Sequence, residues 1–385
     1  MVEPERSPPW PGEPGAPAPA IPGDGAPRRV SGAVRLASVH GTAWWGRLGL
    51  AASLLLAAGG LPARAADPAG ARLCGAYAGL PSDDGPGAGM VWLAGGGFTM
   101  GADDEWPEEG PAHRVRVAGF WIDRHEVTNA QFARFVAATG HRTTAELGLD
   151  PAAHPGLPPE LSAPGSMVFA MPERVTDGRD LGQWWRYVPG ASWRAPLGPG
   201  SSVAGKANHP VVQVSRDDAL AYARWLGRDL PTEAEWEFAA RGGLEGAAYA
   251  WGDTYFDPAQ GWRANTWQGP FPTDDAAGDG HHGTAPVGCF APNGHGLFDM
   301  AGNVWEYARD WYAPFHAPGA AVGPGGPGGT PGGTPAAVIK GGSWLCAPNF
   351  CARYRPSARQ PQELDLGTGH VGFRTVSRAP GPAPG

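Results

Sequence analysis

Two cysteines near the end of the chain are the residues whose type and spacing could do chemistry. Cys346 and Cys351 lie five positions apart in the run GGSWLCAPNFCARYR, and the chain of 385 residues has only four cysteines. Thiolates are soft ligands that suit Cu(I), which accepts two sulfurs and leaves room for a third. A copper site that activates oxygen is therefore one interpretation of this pair.

The same pair permits two other interpretations. A disulfide across a turn is sterically feasible, although a bridge that closes so short a segment removes little loop entropy and stabilises weakly. Such a bridge would serve better as a redox pair. Zinc is poorly supported, because no CxxC or HxxH partner lies nearby in the sequence to complete four ligands. From the residues alone, the disulfide, the redox pair and the copper site remain open.

Oxygen-donor side chains concentrate in two stretches upstream of the cysteines, ANTWQGPFPTDDAAGDGHHG and NGHGLFDMAGNVWEYARDWY. Calcium binds carboxylate, amide and backbone carbonyl oxygens that a Gly-rich loop can present. The spacing is not that of an EF-hand, so ordinary Asx turns remain the alternative to a metal site.

The elements that position these residues belong to a loop-rich domain, because 61 Gly and 43 Pro leave little regular structure. Apolar alternation predicts two short strands, one in MVWLAGGGFTMG and one in HRVRVAGFWID. The segment 147–206 has no sustained period, so we expect it to wrap the surface without regular elements.

Three helices are predicted from their capping signals. The first begins after Thr128 and stops at Gly140, and the second begins after Ser215 with an apolar face that extends to Leu226. In the third, Thr232 and Glu235 have the spacing of a capping box. Carboxylates in the first turn of this third helix are expected to serve the cap and the helix dipole.

Composition limits the partners of the chain. The formal net charge is −8 and no basic stripe occurs, so nucleic-acid binding is not expected, whereas an acidic cleft for a basic peptide is compatible. The repeated PGGTPGG between Gly323 and Pro335 is expected to be a flexible insertion.

The first eighty residues predict export. Basic residues precede an apolar run from Leu48 to Leu61 and an A-x-A cleavage site at Ala63–Ala65. That run is short of the roughly twenty residues that a membrane-spanning helix needs, so no stable membrane span is expected. The protein is predicted to be periplasmic or extracellular, with a cytoplasmic location as the alternative if the leader is wrongly assigned. Cys74 is interpreted as a free linker thiol.

Six blocks of the sequence, in order, resemble the formylglycine-generating enzyme family, which is also called the sulfatase-modifying factor family. The blocks are GGGFTMG, DRHEVTNAQFARFV, LPTEAEWEFAARGG, GLFDMAGNVWEYARDWY, GGSWLCAPNFCARYR and GHVGFRTV. The resemblance covers about 90–377 and implies a mixed α/β (α+β) fold, a C-type-lectin-like domain of low regular secondary-structure content. The predicted organisation is a disordered or untranslated leader at 1–42, a signal peptide at 43–65, a linker at 66–88, the catalytic domain at 89–378 and a disordered tail at 379–385.

The resemblance also implies an activity. Family enzymes oxidise a cysteine in a C-x-P-x-R segment of an unfolded sulfatase polypeptide to Cα-formylglycine, with molecular oxygen and Cu(I). By position, Cys346 and Cys351 would hold the copper, Ser343 would border the reacting centre and Trp305 would shape the oxygen pocket. Without copper, Cys351 could form a mixed disulfide with the substrate.

The same resemblance implies two structural Ca²⁺ ions. The first would be held by Asn265, Asp279 and the carbonyl oxygens of Thr266 and His281, and the second by Asp299, Glu306 and the carbonyl oxygens of Gly302 and Val304.

Two other functions compete with the oxidase. Many relatives keep the scaffold without the cysteine pair and act as binding or accessory modules, here of the cell envelope. An oxidase for a small thiol is the second rival, but the HxxxHxE iron-binding run that such enzymes need is absent from the sequence. The chain departs from the family pattern at His370, where some relatives have Asn, and Cys74 and Cys289 do not match the family's disulfides.

Overall fold

The computed structural model describes residues 73–82, 87–152, 154, 156–316 and 335–382. The predicted leader, the signal peptide, the PGGTPGG insertion and parts of the linker and tail lie outside these ranges. Within the described ranges, no helix combines the length and the apolar character needed to cross a membrane.

The described residues form five α-helices and eleven strands separated by long loops. The helices are α1 (Asn129–Thr139), α2 (Thr144–Leu147), α3 (Pro159–Ser162), α4 (Arg216–Trp225) and α5 (Glu233–Arg241). The strands are β1 (Met90–Leu93), β2 (Gly96–Met100), β3 (His113–Val117), β4 (Phe120–Asp123), β5 (Gly165–Phe169), β6 (Trp185–Pro189), β7 (Trp305–Trp311), β8 (Ala336–Lys340), β9 (Arg359–Glu363), β10 (Val371–Gly372) and β11 (Val376–Ser377).

The strands assemble into two small sheets and two hairpins. One sheet has the order β10-β7-β8-β9, in which β10 runs parallel to β7 and the other pairs are antiparallel. The other sheet is antiparallel, in the order β1-β4-β11. Strands β2 and β3 form one hairpin, and β5 and β6 form the other. This is the mixed α+β architecture of low regular content that the sequence predicts.

The three helices predicted from capping signals are confirmed. Thr128, Ser215 and Thr232 are the N-caps of α1, α4 and α5, and each completes a capping box with the third residue of its helix. Gly140 ends α1 in the left-handed conformation. Leu226, expected on the inward face of α4, is instead its C-cap and is 37% exposed.

Two expectations about the strands are wrong. The runs predicted as one strand each contain two, because the chain turns sharply between β1 and β2 at Gly95, where a Cβ atom would lie 2.5 Å from the Val117 carbonyl oxygen. The segment 147–206 does not only wrap the surface. It contributes the β5–β6 hairpin and the fully buried side chains of Trp184 and Trp193, which its irregular sequence pattern does not reveal.

Cys74 is not a free thiol, as the sequence suggested, but forms a disulfide with Cys289, 215 positions away. The Cys74 amide donates to the Gly288 carbonyl at 3.3 Å, and the Asn208 side-chain amide donates to the Cys74 carbonyl at 3.0 Å. The described part of the segment before β1 is therefore fixed against the loop that precedes β7.

Buried charges hold the α5 helix against the larger sheet. Glu235 serves the cap, as expected, but Glu237 pairs with Lys340 of β8 at 3.1 Å and Glu233 receives two hydrogen bonds from Arg359 of β9. These carboxylates therefore hold secondary-structure elements together.

Candidate active site

A tight backbone turn after β8 delivers the two cysteines. Gly341 and Gly342 both have left-handed φ angles, of 96° and 73°. A Cβ atom on Gly342 would lie 3.0 Å from the backbone of Arg353 and Tyr354. Glycine at 342 therefore lets the segment that leads to Cys346 pass close to the segment that leaves Cys351.

Cys346 and Cys351 are free thiols, and both are buried. The Cys346 amide donates to the Ser343 carbonyl at 2.9 Å, and the Cys351 amide donates to the Ala347 carbonyl at 3.1 Å. These two turns bring the side chains together, so that the Cys346 thiol is hydrogen-bonded to the Cys351 sulfur.

The two sulfurs differ in their electrostatic surroundings. Burial raises the pKa of the Cys346 thiol well above its usual range. The hydrogen bond from Cys346 lowers the pKa of Cys351, and the Arg353 guanidinium lowers it further, against the effect of burial. Cys351 is thus the sulfur that carries negative charge more readily, which is what a nucleophile or a soft-metal ligand requires.

Arg353 is itself fixed by the loop around the short 3-10 helix Pro107–Glu109. Its Nε and Nη2 atoms donate to Glu108 Oε1 at 3.2 and 2.5 Å, and its guanidinium carbon lies 4.2 Å from the centre of the Trp106 ring. Arg353, Glu108 and Trp106 are not among the residues predicted from the sequence, since Glu108 lies 245 positions from Arg353.

Ser343 and Trp305 both lie close to the cysteines. Ser343 is fully buried, and its Oγ accepts the Leu345 amide at 3.2 Å. Trp305 packs in the same apolar cluster as both cysteines and Tyr354. Its amide donates to the carbonyl of His370 at 2.9 Å.

His370 brings a nitrogen without a partner to this neighbourhood. Among the described residues, no group forms a hydrogen bond with its buried Nδ1 atom, and burial lowers its pKa to about 3. The ring lies against Trp185, with 4.9 Å between centroids. The imidazole is therefore neutral in the folded protein.

An aromatic wall and an open cavity adjoin the cysteine turn. Tyr354 stacks on Tyr255 at 4.7 Å between centroids, and Phe350, 41% exposed, stacks on Phe271 at 4.3 Å. A cavity of about 400 Å³ opens beside this wall. Its lining consists of Tyr255, Trp262, Trp267, Gln268, Gly269, Pro270, Pro348 and Asn349. The last two of these residues lie between Cys346 and Cys351, so the cavity borders the cysteine turn directly.

Three of the four residues expected at the first calcium position come together. The Asp279 carboxylate accepts the backbone amides of Thr266 and His281, each at 3.0 Å. The Gln268 side-chain amide donates to the same carboxylate at 2.8 Å and also to the Thr266 carbonyl. Asn265 instead directs its amide group to the Gly283 carbonyl at 2.9 Å and to Asn303 Oδ1 at 3.0 Å. Burial raises the pKa of Asp279 in spite of its hydrogen bonds.

The second expected calcium position is a region of buried carboxylates. Burial raises the pKa of Asp299 to about 6, and that of Glu126 rises well above its usual value because of burial and the charges of Asp299 and Glu306. Glu306 is paired with Arg374 through contacts of 2.7 Å from Nε and from Nη2. No hydrogen bond from the described residues reaches Glu126 Oε2.

The backbone near this second position turns through left-handed conformations. Asp299 and Asn303 have φ angles of 55° and 53°, and Gly302 between them has a φ of 74°. Val304 follows and is buried immediately before β7. These conformations carry the chain in a tight turn past the carboxylates.

The match to a protein family decides what kind of domain this is. Residues 78–379 match the model of the sulfatase-modifying factor enzyme 1-like domain. The chain belongs to the formylglycine-generating enzyme family. A relative from Mycobacterium tuberculosis, the formylglycine-generating enzyme, is 51% identical over 292 residues, which are 75% of this chain and 97% of that protein.

The formylglycine-generating enzyme family also contains a relative with a different description. The inactive C-alpha-formylglycine-generating enzyme 2 of Mus musculus is 40% identical over 296 residues, which are 75% of this chain and 86% of that protein. Among solved structures, PvdO from Pseudomonas aeruginosa superposes with a TM-score of 0.52 at 26% identity, covering 77% of this chain and 97% of that one. Family membership therefore establishes the fold, and the site residues must decide the activity.

Proposed function

We propose that this chain is a formylglycine-generating oxidase, which converts the cysteine of a C-x-P-x-R segment in an unfolded sulfatase polypeptide to Cα-formylglycine with molecular oxygen and Cu(I). One observation carries the proposal: a member of this family has two buried, free cysteines whose sulfurs are within hydrogen-bonding contact. A scaffold that served only to bind a partner would not need this pair.

The residues present fit a copper ion. Cys346 and Cys351 supply two soft sulfur ligands on one turn, and the buried Ser343 and Trp305 lie beside them. When bound, Cu(I) would supply the one-electron chemistry that allows molecular oxygen to react with a substrate sulfur and its neighbouring carbon.

The protein's own residues bind the substrate cysteine and shield the sulfurs from water. The turns at Ser343 and Ala347 hold the two sulfurs close together, so that the substrate cysteine can join them as a third sulfur. The buried Trp305 and Tyr354 side chains exclude bulk water from the sulfurs. The protein thereby holds the substrate Cβ atom next to the reacting centre. Holding reactants in this way contributes to catalysis through proximity and orientation.

The overall conversion constrains the reductant. Oxidising the CH₂–SH group of the substrate to a thioaldehyde removes two electrons and two protons, and water then replaces the sulfur, which leaves as hydrogen sulfide. Reduction of one oxygen molecule to two waters needs four electrons. We therefore expect two equivalents of an external thiol, oxidised together to a disulfide, to supply the other two electrons and two protons.

The open cavity fits the substrate segment. Its walls are aromatic and prolyl side chains, which suit the proline ring of a C-x-P-x-R peptide, and the cavity ends at the turn between the cysteines. An extended peptide whose proline lies in the cavity would have its cysteine two residues away, within reach of the sulfur pair.

Calcium is proposed as a structural ion at the two positions described above. At the first, the Gln268 amide donates to an Asp279 carboxylate oxygen and to the Thr266 carbonyl oxygen, which are the two kinds of oxygen that calcium binds. At the second, Asp299 and Glu126 leave negative charge that the single guanidinium of Arg374 does not fully offset. Buried, uncompensated carboxylates of this kind favour a hard divalent cation.

We also propose that the protein acts outside the cytoplasm. The apolar run and A-x-A site at the start of the sequence support export, and the disulfide between Cys74 and Cys289 supports an oxidising compartment. An exported enzyme would act on newly exported sulfatase chains before folding buries their cysteine.

Mass spectrometry of a C-x-P-x-R peptide tests the proposal. The full chain, loaded with Cu(I) and incubated with the peptide, oxygen and a reducing thiol, is expected to convert the cysteine to an aldehyde with loss of sulfur. A peptide in which Ser replaces the cysteine is the matched control. A folded, copper-binding protein that leaves the peptide unchanged would refute the proposed substrate, and a protein that binds no copper would favour the silent binding module.

A further inference from the structure

The guanidinium of Arg353 is the cationic group that the structure places against the cysteine pair. Its side chain donates a hydrogen bond to the Cys351 sulfur, and its positive charge also acts on Cys346. Arg353 follows Cys351 by only two positions, but its long side chain is 7% exposed and folds back beside the sulfurs.

Two groups from a distant part of the chain prevent this guanidinium from turning away. Glu108, 3% exposed, accepts hydrogen bonds from Nε at 3.2 Å and from Nη2 at 2.5 Å, and Trp106 covers the guanidinium face at 4.2 Å. A carboxylate on one edge and an aromatic ring on one face fix the plane of a guanidinium in a way that an ammonium group would not allow.

We propose that Arg353, held in place by Glu108 and Trp106, is a positioning residue that fixes Cys351 and offsets the negative charge of the sulfur pair when the pair binds Cu(I). This inference rests on the proposed function, since it concerns the same metal site.

The charge balance gives the reason. Two thiolates and one Cu(I) carry a net charge of −1, and a third thiolate from the substrate makes it −2. A buried anion without a nearby cation is strongly unfavourable. The guanidinium of Arg353 contacts the Glu108 carboxylate through Nε and Nη2 and also acts on both sulfurs, so that it presents positive charge to the carboxylate and to the sulfur pair.

Arg355 provides a matched control on the same segment. It is 4% exposed, pairs with Glu109 and with Glu105 at 3.0 Å, and donates to the Ala352 carbonyl at 2.7 Å. It is therefore also a buried arginine fixed by the loop around Pro107–Glu109, but these contacts do not include the cysteine sulfurs. Replacing Arg355 should reproduce the packing cost of replacing Arg353 without the effect on the sulfurs.

The experiment measures Cu(I) affinity by competition with a chromophoric Cu(I) chelator, using the full chain under anaerobic conditions. Arg353→Met is expected to lower the affinity about 10- to 100-fold, the usual worth of a hydrogen bond to a charged group. Arg353→Lys keeps the positive charge but lacks the planar guanidinium, so its loss of affinity should be smaller than that of Arg353→Met. Arg355→Lys should stay within about threefold of wild type. Thermal unfolding of each apo-protein shows whether the variants are folded.

The outcomes separate the inference from the proposed function. A wild-type chain that does not bind Cu(I) overturns both. Binding by wild type with the same affinity in Arg353→Met overturns the inference alone, and so does an equal loss in the Arg353→Lys and Arg355→Lys variants. If Arg353→Met does not fold, the comparison of those two lysine variants decides, and a loss confined to Arg353→Lys supports the assignment.

Discussion

The chain contains two pairs of cysteines, and the structure treats them in opposite ways. Cys74 and Cys289 are 215 positions apart and are joined by a disulfide, whereas Cys346 and Cys351 are five positions apart and remain thiols. Distance along the sequence would favour the reverse, since a short segment closes more easily. The chemistry of each pair is thus set by its surroundings in the fold.

Those surroundings differ in charge. The disulfide lies among polar contacts such as the Asn208 amide on the Cys74 carbonyl, and the Asp299 carboxylate accepts the amide of Gly288, next to Cys289. The thiol pair lies beside Arg353 and its partner Glu108. A neighbouring carboxylate gives a thiolate no stabilisation, whereas a neighbouring guanidinium suits sulfurs that must carry negative charge.

The largest expected effect is a loss of turnover when one of the two thiols is replaced. Cys351→Ser should abolish turnover of a C-x-P-x-R peptide, because a hydroxyl group is a poor ligand for Cu(I) and a poor nucleophile compared with a thiolate. Its unfolding temperature should stay near that of wild type, since Cys351 forms no crosslink. Peptide mass spectrometry measures the turnover, and calorimetry measures the unfolding temperature. Retained turnover would refute a mechanism that requires both sulfurs.

Breaking the disulfide should have the opposite profile. Cys289→Ser removes a crosslink that closes a loop of 215 positions, which in the chain-entropy model is worth about 5 kcal/mol at most. The free energy of unfolding, measured by urea titration, should fall by up to that amount. Cu(I) affinity in the variant that remains folded should be unchanged, and a parallel loss of affinity would show that the two pairs are coupled.

Calcium should stabilise the loop that contains the disulfide between Cys74 and Cys289. The Gly288 amide, next to Cys289, donates to Asp299 at 2.6 Å, so the second proposed calcium position adjoins the crosslinked loop. Chelation of calcium should lower the free energy of unfolding by about 3 kcal/mol for each occupied position if the protein was held at a hundred times the dissociation constant. An Asp299→Asn variant should lose the part of this response that belongs to the second position, and an unchanged melting curve after chelation of wild type would contradict the assignment.

Acid should also lower the free energy of unfolding through groups near the disulfide, by a smaller amount than chelation of calcium. Burial lowers the pKa of His125 to about 4, and its Nε2 atom contacts the Tyr77 hydroxyl at 3.1 Å, three residues after Cys74. Because the unfolded chain takes up a proton near pH 6.5, stability is lost as the pH falls from there toward 4. His125 alone should cost about 2 kcal/mol at pH 5 relative to neutral pH.

His209 should add to this loss. Burial lowers its pKa to about 4 as well, and its Nδ1 atom contacts Thr284 Oγ1 at 3.0 Å. The group is only partly buried, so its contribution should be smaller than that of His125. Urea midpoints at pH 7 and pH 5 measure the net effect of all titrating groups, and a His125→Gln variant should show the smaller loss between them if His125 contributes as expected. Equal sensitivity in that variant would rule out His125 as the cause.

What the sequence predicts well is local. The N-caps at Thr128, Ser215 and Thr232 depend on residues three positions apart, and their helices begin where the pattern indicates. The fold class, Cys346 and Cys351 were recognised through motifs that resemble a known family.

What the sequence does not predict depends on distant partners. Glu108 lies 245 positions from Arg353, and Cys289 lies 215 from Cys74, so no periodic pattern connects them. The burial of Trp184 has a similar cause, since its ring meets Phe271 and Phe350 from other parts of the chain. Local physics fixes element boundaries, but such pairings emerge only when the whole chain is folded.

The order of the four cysteines along the chain has a consequence for biosynthesis. As the polypeptide leaves the ribosome or a translocation channel, Cys74 emerges first and Cys289 second, and Cys346 follows only after a further 57 positions. Domains begin to fold from their N-terminal part during synthesis. When Cys289 reaches an oxidising compartment, Cys74 is therefore the one earlier thiol available to it. Vectorial emergence thus favours the native crosslink before the two thiols of the site can compete for it.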